Sequence, residues 1–125
     1  MFFRPILFVL SLCTSLAATC AIAAAPAAEE LRLQRERFPL VWETARHGPP
    51  DAWRKMAVGL ERYPLYPYLE LAGLQKQLAQ LQQGVVAEFL AKWAESLPAQ
   101  SLRDAFLQEL ARRGDWKNFL EFYTD

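Results

Sequence analysis

The residues able to do chemistry in this chain are few and widely spaced. His47 is the only histidine among 125 residues. It precedes Gly48 at what reads as a helix end, where a cation suits the helix dipole. One histidine among scattered carboxylates cannot supply the three or four ligands a zinc ion needs. Ser96 and Ser101 have no G-x-S-x-G context, the strained turn that exposes a nucleophilic serine. The five glycines, Gly48, Gly59, Gly73, Gly84 and Gly114, are isolated, so no loop cradles a phosphate. No metal or other cofactor is expected.

Carboxylates are the remaining candidates. Glycoside cleavage needs a carboxyl whose pKa is raised, usually in an apolar cleft, and commonly a second one nearby. Glu70 adjoins the most aromatic stretch of the chain and is the one residue that fits this description. It also lies between Leu69 and Leu71, where a solvated helix position is expected. Glu88, Glu95 and Glu109 fall off the apolar stripes and read as solvent-facing. Trp42, Trp53, Trp93 and Trp116 have rings suited to stacking on sugars. Each falls at or near an apolar helix position, so packing is the expected role.

The elements that must position these groups are short helices. Leu31, Phe38, Val41, Trp42 and Ala45 share one helical face. Pro39 lies within that run and is expected to kink it. His47-Gly48-Pro49-Pro50 ends it, and Trp53 to Glu61 then predicts a second helix of about three turns. The stretch "RYPLYPYLEL", Arg62 to Leu71, holds two prolines, three tyrosines and three leucines. Pro64 and Pro67 disfavour helical angles at Tyr63 and Tyr66, while Pro67 suits a first helical turn. The residues Tyr63, Pro64, Leu65, Tyr66, Pro67 and Tyr68 are therefore expected to form a stiff structural joint, not a catalytic site.

Beyond the joint, Leu71, Leu74, Leu78 and Leu81 form a narrow seam on a third helix closed by Gln82-Gln83-Gly84. Val86, Phe89, Leu90 and Trp93 mark a fourth, broken at Leu97-Pro98. A fifth is capped by Ser101 or begins earlier, near Pro98. Its buried stripe is Leu102, Ala105, Phe106 and Leu110, and Arg112-Arg113-Gly114 ends it. The arginine pair reads as a solvated helix end. Asp115 caps a last segment, where Trp116, Phe119, Leu120 and Tyr123 repeat at helical spacing and still lack a partner. No strand pattern is present. The fold class is all-α, with short antiparallel helices forming the start of an α-superhelix, or solenoid. No strict 34-residue repeat is visible.

The first residues read as an export signal. Arg4 is the sole charge before Glu29, Ile6 to Leu16 are densely apolar, and Ala17 to Ala28 are mostly small. A signal peptide is expected over residues 1–27, cut between Ala23 and Ala27. An uncleaved membrane anchor is the competing reading, because the apolar run approaches the roughly 20 residues that span a bilayer. A lipid anchor on Cys20 is disfavoured by Thr19 before it. Cys13 and Cys20 both lie in this segment, so the remaining residues have no thiol and no disulfide. Charge is balanced at 14 basic and 14 acidic residues, which removes the electrostatic case for nucleic acid or anionic lipid. Membrane contact is expected only during export.

"RYPLYPYLEL" resembles the joint in the N-terminal region of soluble lytic murein transglycosylases. The downstream run "VAEFLAKWAESLPAQSLRDAFLQELARRGDWKNFLEFY" is similar to the same region. Both motifs stand in the right order and separation, and the resemblance covers roughly Leu31 to Tyr123. Pro39 departs from the unbroken first helix of that family. The resemblance implies a periplasmic protein, acting on peptidoglycan at the MurNAc–GlcNAc bond to form 1,6-anhydro-MurNAc. It implies a long helical superhelix that closes into a ring, followed by a lysozyme-like domain with one glutamate as acid and then base. That domain carries Glu-Ser, Gly-Leu-Met-Gln and Ala-Tyr-Asn-Ala-Gly motifs. The sequence is read as holding none of these motifs, so no catalytic residue is carried over.

Residues 28–125 are thus expected to be the N-terminal part of the superhelical domain, with the catalytic domain absent from this sequence. The expected function is a non-catalytic scaffold within an enzyme of peptidoglycan glycan strands. A free-standing periplasmic helical adaptor for protein partners is the second reading. A polar last helix would favour it, and the aromatic one at Phe119 to Tyr123 argues against it. Catalysis by this chain alone, centred on Glu70, is the third.

Overall fold

The computed structural model describes residues 18–123, with side chains from Ala27 onward. The expected signal peptide, residues 1–27, lies largely outside the described residues. Six α-helices and one 3-10 turn make up the described residues, with no strand among them. No described helix is long and apolar enough to cross a membrane. The chain forms two compact units, residues 1–33 and 34–125.

Helix α1 is Ala18–His47. Within the first unit, Arg32 donates to both oxygens of Glu29 at 3.0 and 2.6 Å. That pairing holds the Glu29 carboxyl below its ordinary value of 4.5. In the second unit α1 stays helical through Pro39, whose ring is exposed, and ends at His47 as the sequence predicts. Val41 and Ala45 are buried there, with Phe38 and Trp42 partly so.

Helix α2, Ala52–Met56, has only five residues, not the three turns expected to Glu61. Its continuation is a string of turns, with Gly59 at φ 87°. The cause is tertiary. Arg37 of α1 takes the carbonyls of Met56 and Val58 at 2.8 and 3.1 Å. Gln34 of α1 donates to the Gly59 carbonyl at 3.0 Å, and Glu61 accepts the Gly59 N–H at 2.8 Å. Side chains from another helix thus replace the helical partners of this backbone.

Helix α3, Tyr66–Gln75, carries Pro67 in its first turn. The expected long third helix stops at Gln75, and a 3-10 turn at Leu78–Gln80 follows. The leucine seam survives this break: Leu71 is buried, and Leu74, Leu78 and Leu81 pack on the same core. Arg113 donates to the carbonyls of Leu78 and Ala79, so this arginine clamps the turn and is no mere solvated helix end. Gly84 does not close a helix. It lies in the first turn of α4, Gln83–Lys92.

Helix α5, Leu97–Arg113, is capped by Ser96 and not by Ser101: the Ser96 hydroxyl accepts from the Ala99 N–H at 3.2 Å. Gly114 ends it at φ 71°, and Asp115 caps α6, Trp116–Phe122, both as expected. Leu102, Phe106 and Leu110 of α5 are buried. α5 packs against α3, the 3-10 turn, α4 and α6.

Two apolar clusters hold the second unit. Val41, Ala45, Trp53, Ala57, Leu60, Leu69 and Ala72 form one. Leu71, Val86, Phe89, Ala99, Leu102, Phe106, Leu110 and Phe122 form the other. α3 contributes to both, because Leu69 and Ala72 face one cluster and Leu71 the other. A helix apolar on two sides has little room for a solvated position, and this determines where Glu70 goes.

Candidate functional site

Glu70 is not the solvated residue the sequence suggested. Its side chain is 15% exposed. Lys92 at the end of α4 donates to one carboxylate oxygen at 2.8 Å, and the Trp93 indole N–H donates to the other at 2.6 Å. The Lys92 ammonium lies 4.9 Å from the Trp93 ring centre and 5.7 Å from that of Tyr66, so aromatic faces add to its hold. Burial raises the Tyr66 hydroxyl above its ordinary 10.0.

This knot forms one end of a groove between α2, α3 and α4, lined by Arg54, Glu70, Leu74, Val85, Glu88, Phe89 and Lys92. Arg54 is fixed on the α2 side. Its Nε donates to Asp51 at 2.7 Å and its guanidinium lies 4.9 Å from the Trp53 ring centre. Glu88 is exposed on the α4 side. The groove therefore carries two cations, two carboxylates and three apolar side chains. As general acid, Glu70 is poorly placed, because both its carboxylate oxygens already accept from side chains of the protein itself.

The joint residues run from the turns after α2 into the first turn of α3, which holds Tyr66, Pro67 and Tyr68. The Tyr66 N–H donates to the Tyr63 carbonyl at 2.9 Å, and the Tyr68 N–H to the Leu65 carbonyl at 3.1 Å. Pro64 is exposed and Pro67 sits in the first turn of α3. Tyr63 packs on Phe38 with ring centres 5.2 Å apart, and Tyr66 meets Trp53 edge-on at 6.4 Å. Leu65 and Tyr68, with Phe38 and Trp42, line a second groove that is wholly apolar. Tyr63 and Tyr66 thus pack against aromatic rings. None of the six is paired with an ionised group in an acid–base arrangement.

Other candidates stay apart. His47 is exposed, 3.7 Å from Glu43. No group of three or more potential metal ligands occurs among the described residues. The reading that no Glu-Ser pair occurs is corrected by Glu95-Ser96, which matches that two-residue pattern. Here Glu95 stands in a left-handed turn at φ 62° and the Ser96 hydroxyl caps α5. A serine engaged by a backbone N–H at a surface turn is structural.

Glu109, also read as solvent-facing, is 10% exposed. Arg112 donates to both its oxygens at 2.8 and 2.6 Å, and Arg113 adds a bond of 2.7 Å. These hydrogen bonds hold its carboxyl at about 2. Trp53 is 1% exposed, as packing requires, but Trp116 is 60% exposed, against expectation. Phe122 is the side of α6 that turns inward, so the Trp116, Leu120 and Tyr123 side remains outward. The missed residues were Arg54 and Lys92, and Trp93 was read as packing without its bond to Glu70. The i, i+1 pair Lys92-Trp93, 22 and 23 residues after Glu70, carries no local signal.

No family model matches the chain. No solved structure matches it either. Among curated proteins, the chain is similar to the soluble lytic murein transglycosylase of Salmonella typhimurium, with 35% identity over 95 residues. The proteins of that name from Escherichia coli K12 and O157:H7 match at 35% over 95 residues as well. The match takes in 76% of this chain and 15% of each relative. The resemblance read from the joint and the downstream run is thus a measurable relationship to proteins of this type, over a small part of their length.

Proposed function

We propose that this chain is the N-terminal helical scaffold segment of a soluble lytic transglycosylase of the periplasm, and that it cleaves no glycan by itself. In this reading residues 1–27 are a cleaved export signal, residues 28–125 begin the superhelical domain, and catalysis belongs to a lysozyme-like domain outside this sequence. Peptidoglycan is then the substrate of the whole enzyme.

The similarity over 95 residues is the observation that carries the reading. The geometry at Glu70 supports the non-catalytic part, because Lys92 and Trp93 occupy both carboxylate oxygens that a glycosidic acid would turn toward its substrate. The joint Tyr63 to Tyr68 serves as a corner that sets the angle between the turns after α2 and helix α3.

Two measurements test this. The purified chain, incubated with murein, is expected to release no anhydro-muropeptide; release that disappears in Glu70→Gln would overturn the scaffold reading. The product recovered from the periplasm of source cells is expected to have a mass well above the 14.3 kDa of this chain. A species slightly lighter than that, by a removed signal, would favour a free-standing adaptor.

A further inference from the structure

The groove between α2, α3 and α4 has a composition that selects its ligand. Arg54 and Lys92 are balanced by Glu70 and Glu88. A lining of two cations and two carboxylates, with Arg54 already paired to Asp51, offers no excess positive charge to attract phosphates or nucleic acid. It is too polar for a lipid chain. Leu74, Val85 and Phe89 of its lining are nonetheless apolar. A ligand that fits must offer hydrogen-bond donors and acceptors along its edges and C–H groups on its face, without charge.

Pyranose rings have this pattern, and acylated amino sugars add an amide that both donates and accepts. The cavity volume is about 150 Å³. That is below the roughly 300–1,000 Å³ of sites that enclose a whole small ligand. It suits one ring of a longer polymer that continues along the surface. The groove is also built in advance. Arg54 is held by Asp51 and the Trp53 ring, and Glu70 by Lys92 and Trp93, so these two side chains need little further ordering on binding. Glu88 makes no ion pair or hydrogen bond among the described residues and is available to accept from ligand hydroxyls.

We propose that this groove is a non-catalytic subsite for an N-acetylated amino-sugar residue of a glycan strand. Arg54 and Glu88 hydrogen-bond the ring substituents from opposite walls, and Leu74 with Val85 meet one face of the ring. The ring edge points toward the Glu70–Trp93 pair. The proposal rests on the scaffold reading for its polymer, and it adds a direct contact that a passive scaffold does not require.

The test is a titration of the ¹⁵N-labelled full chain with chitotriose, a neutral N-acetylglucosamine trimer, and in parallel with peptide-free murein glycan strands. The Trp93 indole N–H and the Val85 and Glu88 amides are expected to shift saturably at millimolar ligand. Glu88→Gln, which alters an exposed side chain, is expected to weaken binding about tenfold, the loss typical of one charged hydrogen-bond partner. Arg54→Gln is expected to do the same, with an unchanged circular dichroism spectrum as its control for folding. Absence of shifts with both glycans, or shifts confined to Trp42 and Tyr68 at the apolar groove, overturns the proposal. So does a response to a free stem peptide that the glycans do not share. The mass of the periplasmic product is independent of this titration, so failure here leaves the scaffold reading standing.

Discussion

Gly73 of α3 stands where any side chain would strike the indole of Trp53: a Cβ there would lie 2.7 Å from Nε1 and 3.1 Å from Cε2. Trp53 is 1% exposed, and its Nε1 is buried without a hydrogen-bond partner. The glycine lets α3 approach α2 closely enough to bury the largest side chain of that cluster. The indole is rigid and enclosed, so it cannot swing aside as a lysine would.

Gly73→Ala is therefore expected to destabilise the protein. Overpacking costs about 1–3 kcal/mol, and the gain in helix propensity returns at most about 1 kcal/mol. Urea denaturation of the variant should show a lower midpoint at unchanged slope. In a Trp53→Phe background the same substitution should cost less, because the smaller ring frees the space. Equal costs in both backgrounds would show that the two residues do not couple.

Glu70→Ala leaves the Trp93 indole N–H without its acceptor and Lys92 without its ion-pair partner. Loss of a hydrogen bond to a charged group costs about 1.5–3 kcal/mol. The loss should lie at the lower end, because Lys92 is 49% exposed and water replaces part of its partner. Glu70→Gln keeps one acceptor and should lose less. Tryptophan fluorescence followed through denaturation checks both, and a Gln variant as weak as the Ala variant would assign the effect to charge alone.

Glu109 makes stability depend on pH. Its carboxyl titrates near 2 in the folded chain, against an ordinary 4.5, because Arg112 and Arg113 hydrogen-bond the charged form. A lowered folded-state value means the unfolded chain binds the proton first as pH falls. The contribution is complete above about pH 4.5 and is lost progressively down to about pH 2. Across that window the denaturation midpoint of the unaltered chain should fall more steeply than that of Glu109→Gln. Parallel curves would mean that the arginine cluster adds nothing to folding.

Pro64 and Pro67 restrict the unfolded chain and preset the turn into α3. Replacing both with alanine should lower stability by roughly 0.4–1 kcal/mol per site. The melting temperature should drop by several degrees for a domain of this size. An unchanged melting temperature would remove the corner role from the joint.

Much of the fold was legible in the sequence, for local reasons. The end of α1 at His47 follows from Gly48 and two prolines. Gly114 and Asp115 mark the α5 to α6 junction because a left-handed cap and an N-cap each use one residue's own chemistry. The buried stripe of α5 is a matter of periodicity, which needs only neighbours three and four residues away. Tertiary structure alone decided the rest. α2 is short because Arg37 and Gln34, from a different helix, take carbonyls near Gly59. Glu70 is sheltered because α3 lies between two clusters and α4 brings Lys92 and Trp93 to it. Periodicity told which residues share a helix face. It held no information on what would pack against the opposite face, because that depends on the meeting of segments 19 to 25 residues apart.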